Sequence, residues 1–184
     1  TSHLDLYVPG IDSVGRLGRF SYQTATPGYF ATMGTRILRG RPFTEADRGG
    51  TPPVAVVSEA MGTLLWPGRE PLGQCIKIGA DTVPCTTVIG IAENAVQNSL
   101  TDDQRLRYYL PLVQFRPARG SSLLLRMRGA PIEHSEAVRR ALQPVMPGQS
   151  YITVRPFSEL LDAQRKSWRL GATMFVAFGV LALV

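Results

Sequence analysis

The 184-residue chain predicts an α+β fold followed by the start of a transmembrane helix. Segments rich in β-branched residues alternate with amphipathic, capped segments, a pattern typical of mixed strands and helices. Hydrophobic residues make up 44% of the chain, which is enough for a sizeable core. Residues 170–184 are apolar and uncharged, and a helix of this length would reach only about 22 Å of the roughly 30 Å bilayer core. We therefore expect a membrane span that continues past the last residue.

The first predicted unit is strand, helix, strand over residues 19–42. A polar lead, residues 1–18, comes before it, and the first residue is Thr rather than Met, so we expect the amino end to be truncated as well. Residues 19–26 alternate in polarity and predict a strand. Pro27 then opens a short helix, which Gly34 ends. A second strand follows in the sequence TRILRGR.

The middle block, residues 43–117, is rich in strands. PPVAVVS predicts a short buried strand, and Ser58 caps a helix that ends at Trp66. Cys75 and Cys85 lie in two apolar, β-branched segments joined by the turn sequence GADT. RYYLPL predicts a further strand.

The last block, residues 118–157, repeats the order of the first. We predict a strand over 121–129, a helix over 131–146 and a strand over 151–157. The helix carries its apolar side chains along one face, which is expected to be core. Two strand-helix-strand units can pack side by side, with the middle block inserted as a second lobe.

The two cysteines predict a disulfide. Two strands joined by a short turn could place Cys75 and Cys85 within bonding reach, and disulfides persist in oxidising compartments. Two buried free thiols remain the alternative at this point. A metal site would need more ligands than these cysteines and the distant His3 or His134.

The junction with the apolar tail predicts a membrane-surface anchor. Ser158 can cap a helix over 158–169 that runs directly into residues 170–184. A continuous helix of this kind would transmit motion between the domain and the membrane. Basic and aromatic side chains placed at its mouth suit the membrane interface: Arg165, Lys166, Trp168 and Arg169.

Charge and motifs exclude several classes of function. The net charge is +6, but the arginines are scattered and no basic run occurs, so nucleic-acid binding is not expected. The chain has no P-loop and no GxSxG motif, and Ser58 is better explained as a helix cap than as a nucleophile. His134, the Asp102–Asp103 pair and Trp66 are interpreted as solvated or core residues. No catalytic residue, metal site or cofactor is expected.

Three motif segments occur in a fixed order, and they resemble a known family. They are TPGYFATMGTRILRGRPFTEAD, VAVVSEAMGTLLWPGREPLGQCIKIG and TVIGIAEN. Together they resemble the MacB-like periplasmic core domain of ABC transporter permeases of the FtsX/MacB type, in particular the duplicated permeases common in Acidobacteria. The resemblance covers about residues 19–184, and the tail is similar to the start of the permease's second transmembrane helix.

The resemblance implies a non-catalytic domain between the first two membrane helices, facing the periplasm at the bacterial inner membrane. A porter-like lobe would comprise 19–42 and 118–157, and 43–117 would form the inserted lobe. The domain would couple cytoplasmic ATP hydrolysis to periplasmic conformational change, in efflux or mechanotransmission. The implied partners are membrane lipid, an ABC ATPase subunit and a second permease half or homodimer partner, with a periplasmic adaptor as a further candidate.

Two other functions stay open from sequence. A membrane-anchored extracytoplasmic sensor or binding module would be favoured by a signalling domain after the tail. A periplasmic enzyme would need a convergent polar cleft, which the sequence does not show.

Overall fold

The computed structural model describes residues 4–95, 106–115, 122–145 and 151–159. The chain divides into two compact units, Thr1–Arg126 and Met127–Val184. Each unit has its own secondary structure, and the sheet lies in the first.

The first unit contains nearly every predicted strand and helix up to residue 111. A short strand that the sequence does not predict, β1, precedes them and is followed by a single 3-10 turn at Val14–Arg16. The elements in chain order are β1 (Leu6–Tyr7), β2 (Ser21–Ala25), α1 (Tyr29–Met33), β3 (Ile37–Gly40), β4 (Val54–Ser58), α2 (Glu59–Leu65), β5 (Cys75–Ile78), β6 (Thr86–Ala92) and β7 (Arg107–Pro111).

Seven strands of the described residues form one mixed sheet, in the order β1-β5-β6-β4-β7-β2. β3 lies beside β6 and pairs with its last residues, whereas β5 pairs with its first two. The pairs β2–β7 and β4–β6 are parallel, and the pairs β1–β5, β5–β6, β3–β6 and β4–β7 are antiparallel. β2 and β3, from 19–42, thus share a sheet with β4 to β7, from 43–117.

The core covers both faces of the sheet. Side chains alternate along β4, so that Ala55 and Val57 face one apolar cluster while Val54 and Val56 face the other. The first cluster is completed by α2 and by the segment before β2, and the second by α1 and Phe43. A strand covered on both faces reads as a continuous apolar run, which explains the sequence VAVVS.

The second unit contains α3 (Pro131–Leu142), followed by a short 3-10 turn, Gln143–Val145. The predicted helix is confirmed, with Pro131 in its first turn, where the missing N–H costs nothing. Glu136 accepts hydrogen bonds from Arg139 and Arg140 one turn later. The sequence predicts that the apolar face of α3 belongs to the core. This prediction is wrong, because no side chain of α3 is buried.

The two strands predicted beside this helix are wrong for the residues described. Residues 122–129 and 151–156 form neither a strand nor a helix. A strand requires a neighbour that takes its backbone hydrogen bonds, and these segments have no ladder partner within the described ranges. Leu123 and Leu125 are exposed, so the apolar run that suggested a buried strand is not buried.

Candidate functional site

Ser58, the residue weighed as a nucleophile, has a structural role. Ser58 is 1% exposed, and its Oγ accepts hydrogen bonds from the backbone N–H groups of Met61 (3.4 Å) and Arg107 (3.0 Å). The first bond caps α2 and the second joins the cap to β7, which confirms the capping interpretation. Trp66 is 5% exposed and belongs to the apolar core. His134 is half-buried on α3.

Other candidates lie outside the described residues, namely His3, Asp102 and Asp103. Within the described ranges, no group of three His, Cys, Asp or Glu side chains could hold a metal ion.

The disulfide between Cys75 and Cys85 is confirmed. The two Cα atoms are 5.3 Å apart, and the bond joins the first residue of β5 to the residue that precedes β6. Cys75 is paired with Thr87 in the antiparallel ladder, whereas Cys85 is the last residue of the loop before β6, so the bridge runs diagonally from the open end of the hairpin to its loop. The bond therefore braces the edge of the sheet that carries β1.

The GRPF motif forms a charged turn after β3. The Arg41 guanidinium donates to both carboxylate oxygens of Asp47, at 2.7 and 2.8 Å, and the Thr44 backbone N–H donates to the same carboxylate at 2.8 Å. The Asp47 side chain is only 7% exposed. The hydrogen bonds from Arg41 lower the pKa of Asp47 to about 2, against the opposing effect of burial. Phe43, between these residues, is buried in the core.

Two further arginines hold β3 in place. Arg36, just before the strand, pairs with Glu93 at 2.8 Å, and the hydrogen bonds from Arg36 lower the pKa of that carboxylate. Arg39 pairs with Glu70, in the WPGREPLGQ loop, also at 2.8 Å. In the sequence these arginines are scattered, and nothing beside them indicates a partner. Their partners lie 57 and 31 residues away, so no local spacing could have revealed them.

A buried arginine is the other feature that sequence reasoning missed. Arg107 is 4% exposed at the start of β7. Its Nε donates to Ser21 Oγ at 3.3 Å, and its Nη1 donates to the Ala95 carbonyl at 3.5 Å. These contacts join β7 to β2 and to the segment after β6. No feature of RYYLPL distinguishes this arginine from an exposed one.

The predicted membrane anchors, Arg165, Lys166, Trp168 and Arg169, lie outside the described residues, as do residues 160–184 in general. Of the helices that the structure describes, none has the length and apolar character needed to cross a bilayer.

Known proteins share the sequence pattern and the fold described above. The family model of the MacB-like periplasmic core domain matches residues 6–145. The chain belongs to the MacB-like periplasmic core domain family. The match spans the mixed sheet and α3, and it includes all the motif residues described above.

Solved structures show the same fold as this MacB-like domain. This chain is similar to the periplasmic region of MacB from Actinobacillus actinomycetemcomitans, at 18% identity and a TM-score of 0.57, with 79% of this chain covered. It is also similar to a domain of a putative permease protein from Porphyromonas gingivalis, at 13% identity and a TM-score of 0.53, with 88% of this chain and 78% of that one covered.

A third similarity, to the extracellular domain of the noncanonic ABC-type transporter YknZ from Gram-positive bacteria, has 18% identity, a TM-score of 0.45 and coverage of 60% of this chain and 50% of that one. The chain spans 63% of the length of the MacB periplasmic region. A comparison with curated proteins finds no match.

Proposed function

We propose that this MacB-like domain is the periplasmic part of an ABC transporter permease at the bacterial inner membrane. In this proposal it couples ATP hydrolysis on a separate subunit to a conformational change in the periplasm. The observation that carries the proposal is the family match over residues 6–145. The Cys75–Cys85 bond supports a location in the periplasm, because disulfides persist in oxidising compartments.

The charged residues of the family motifs support a mechanical role. Arg36, Arg39 and Arg41 each hold a carboxylate from another part of the first unit. Arg36 ties the start of β3 to the residue after β6, Arg39 ties β3 to the loop after α2, and Arg41 closes the turn that follows β3. A domain that transmits movement must resist deformation. We assign these ion pairs to that mechanical role rather than to substrate chemistry.

We further propose that helix 158–169 enters the membrane as residues 170–184, with Arg165, Lys166, Trp168 and Arg169 at the lipid surface. The porter-like assignment of 118–157, the ATPase partner, the second permease half and a periplasmic adaptor belong to the same proposal. Periplasmic conformational change would then follow from movement of this helix.

The location can be tested with the disulfide itself. Intact cells that express the full protein are treated with a membrane-impermeant maleimide reagent, with and without prior reduction. We expect labelling of Cys75 and Cys85 only after reduction, and labelling of the Cys85→Ser variant without it. Labelling of this variant only after cell lysis would place the domain in the cytoplasm and contradict the proposal.

The coupling can be tested in proteoliposomes that contain the complete transporter. One variant replaces Arg165 and Lys166 with Gly, which weakens the helix, and the matched control replaces both with Ala. We expect vanadate and ATP to change the protease sensitivity of the domain in the wild type and in the Ala variant. The Gly variant should hydrolyse ATP without this change. A wild-type domain that is insensitive to ATP would contradict coupling.

A further inference from the structure

A groove of about 650 Å³ lies between β1 and the segment formed by residues 11–20. Half-buried Leu6 and Ile11 and buried Val14 and Phe20 supply its apolar lining. This volume is in the range of sites that hold small ligands. None of the family motifs or the predicted site residues lies in this groove.

The backbone of β1 leaves an open edge. Leu6 is opposite Ile78 in β5, and the Gly79 N–H donates to the Asp5 carbonyl at 2.8 Å. In an antiparallel pair, successive residues direct both polar groups alternately toward and away from the partner strand. Because Asp5 bonds with β5, the N–H and C=O of Leu6 point away from it.

The open edge faces the groove. Val8 directs its polar groups to the same side as Leu6, and its carbonyl accepts the Ile11 N–H at 3.0 Å. The turn at Pro9 and Gly10, where Gly10 has φ +88°, closes this end of the groove. In the part of the chain that the structure describes, no backbone hydrogen bond takes up the outward groups of Leu6.

The rim of the groove is acidic on balance. The exposed carboxylates of Asp5 and Asp12 lie on it with one guanidinium, that of Arg19. The whole chain carries a net charge of +6, whereas two carboxylates and one guanidinium line the groove; Arg16, in the same segment, is exposed but is not among the lining residues. The excess of carboxylates on the rim favours a partner with basic side chains.

We propose that this groove binds an extended peptide segment, which adds as a strand to the open edge of β1. Main-chain hydrogen bonds to Leu6 hold the peptide, and its alternate side chains fall on the apolar lining and beside Asp5 and Asp12. The partner is therefore a segment of alternating apolar and basic residues. The proposal does not depend on the transporter function.

The test uses the 184-residue chain, isotope-labelled for amide NMR, and an acetylated and amidated peptide of alternating valine and lysine. We expect chemical-shift changes confined to residues 4–20 and slower hydrogen exchange at the Leu6 amide. Changes centred elsewhere, or unchanged exchange at Leu6, would overturn the proposal. Dissociation of a pre-existing dimer by the peptide would instead mean that a second copy of the chain occupies the groove.

Two control peptides separate backbone pairing from charge. A peptide with N-methylated valines has lost the donors that face the edge, and one with glutamate in place of lysine has the opposite charge. We expect each to bind at least about tenfold more weakly. Equal binding of the methylated peptide would rule out strand addition, and equal binding of the glutamate peptide would rule out a basic partner.

Variants of the chain provide the second measurement. Leu6→Pro removes the outward donor but leaves the β1–β5 bonds of the neighbouring residues. Because Leu6 also packs on the core, Asp12→Asn at the exposed rim is tested in parallel, with Glu45→Gln as the exposed control of equal charge change. Weaker binding by Asp12→Asn alone supports the proposal, and equal binding by both variants contradicts the role of Asp12.

Discussion

At the scale of single residues, two glycines set how closely β3 approaches β6. Gly40 and Gly90 are paired across the two strands. A Cβ on Gly40 would overlap the Ile89 carbonyl oxygen, and one on Gly90 would overlap the Arg41 carbonyl oxygen. Gly40 also has φ +73°, which favours glycine. The close approach of β3 and β6 therefore explains why glycine occupies the first position of the GRPF motif.

We expect Gly90→Ala to lower the free energy of unfolding by more than about 3 kcal/mol, because the added methyl group meets backbone rather than a flexible side chain. Gly50 is the matched control, since it has φ +86° and open space around its Cα. Gly50→Ala should cost only about 1–2 kcal/mol, from backbone strain. Urea denaturation measures both, and equal losses would contradict the steric explanation.

Tyr108 carries a buried hydroxyl group. The side chain is fully buried and stacks on Tyr22 with ring centroids 6.0 Å apart, and its hydroxyl has no hydrogen-bond partner among the described residues. Burial raises the pKa of this phenol. We expect Tyr108→Phe to raise the free energy of unfolding by about 1 kcal/mol, because the cost of desolvating the hydroxyl disappears. A loss of stability in thermal unfolding would reveal a partner for this group.

Asp47 makes stability depend on acid pH. Hydrogen bonds from Arg41 lower its pKa to about 2, so the native state favours the ionised form. This contribution is complete above the ordinary carboxyl pKa of about 4 and is lost as the pH falls toward 2, and it amounts to at most about 2.5 kcal/mol.

We therefore expect Asp47→Asn to destabilise the protein at pH 7 and to have a smaller effect near pH 2. Asp81→Asn, at an exposed ion pair, should change stability by less than about 1 kcal/mol at either pH. Urea titrations at the two pH values measure the difference. A loss from Asp47→Asn that is independent of pH would show that the contribution is steric rather than ionic.

At the scale of elements, the β5–β6 hairpin is held by a covalent bond as well as by its ladder. The cysteines are 10 residues apart, and closing a loop of this length stabilises by about 3 kcal/mol in the chain-entropy model. Replacing both cysteines with Ser should lower the melting temperature under oxidising conditions. The same variants should match the wild type when reductant is present. An unchanged melting temperature in oxidising buffer would contradict the stabilising role.

Two helices and two predicted strands show where a local sequence pattern predicts structure and where it does not. Capping by Ser58 and the glycine at the end of α1 act within one turn of the chain, so the sequence predicts α2 and α1 well. The predicted strands over 121–129 and 151–157 rest on apolar composition alone. A strand is completed by a partner that can lie anywhere in the sequence, and composition does not say whether that partner exists.

At the scale of the whole molecule, the buried core of the described residues lies in the first unit. All buried hydrophobic residues of the described ranges fall between Val8 and Leu110, within the unit Thr1–Arg126. Within the described ranges, the two apolar clusters on the faces of the sheet thus contain no residue after 126. We expect a fragment of residues 1–126 to fold and to retain the melting temperature of the full chain within a few degrees.

This fragment is tested by calorimetry and by the protection of β4 amides against hydrogen exchange. Val56 and Val57 lie at the centre of the sheet and should exchange most slowly in both chains. A fragment with unprotected β4 amides would mean that the second unit is required for the core. The prediction matters for the proposed function, because a domain that moves as a body must be stable by itself.

The sequence by itself determined the elements whose signals are local: the capped helices, the apolar strands, the turn glycines and the hairpin that brings the two cysteines together. It also determined the family, because the motifs occur in a fixed order. Only the tertiary structure decided that β2 and β3 share one sheet with the middle block, and that Arg36 and Arg107 have partners. Strand order and distant ion pairs depend on contacts between residues far apart in the chain, and no local spacing records such contacts.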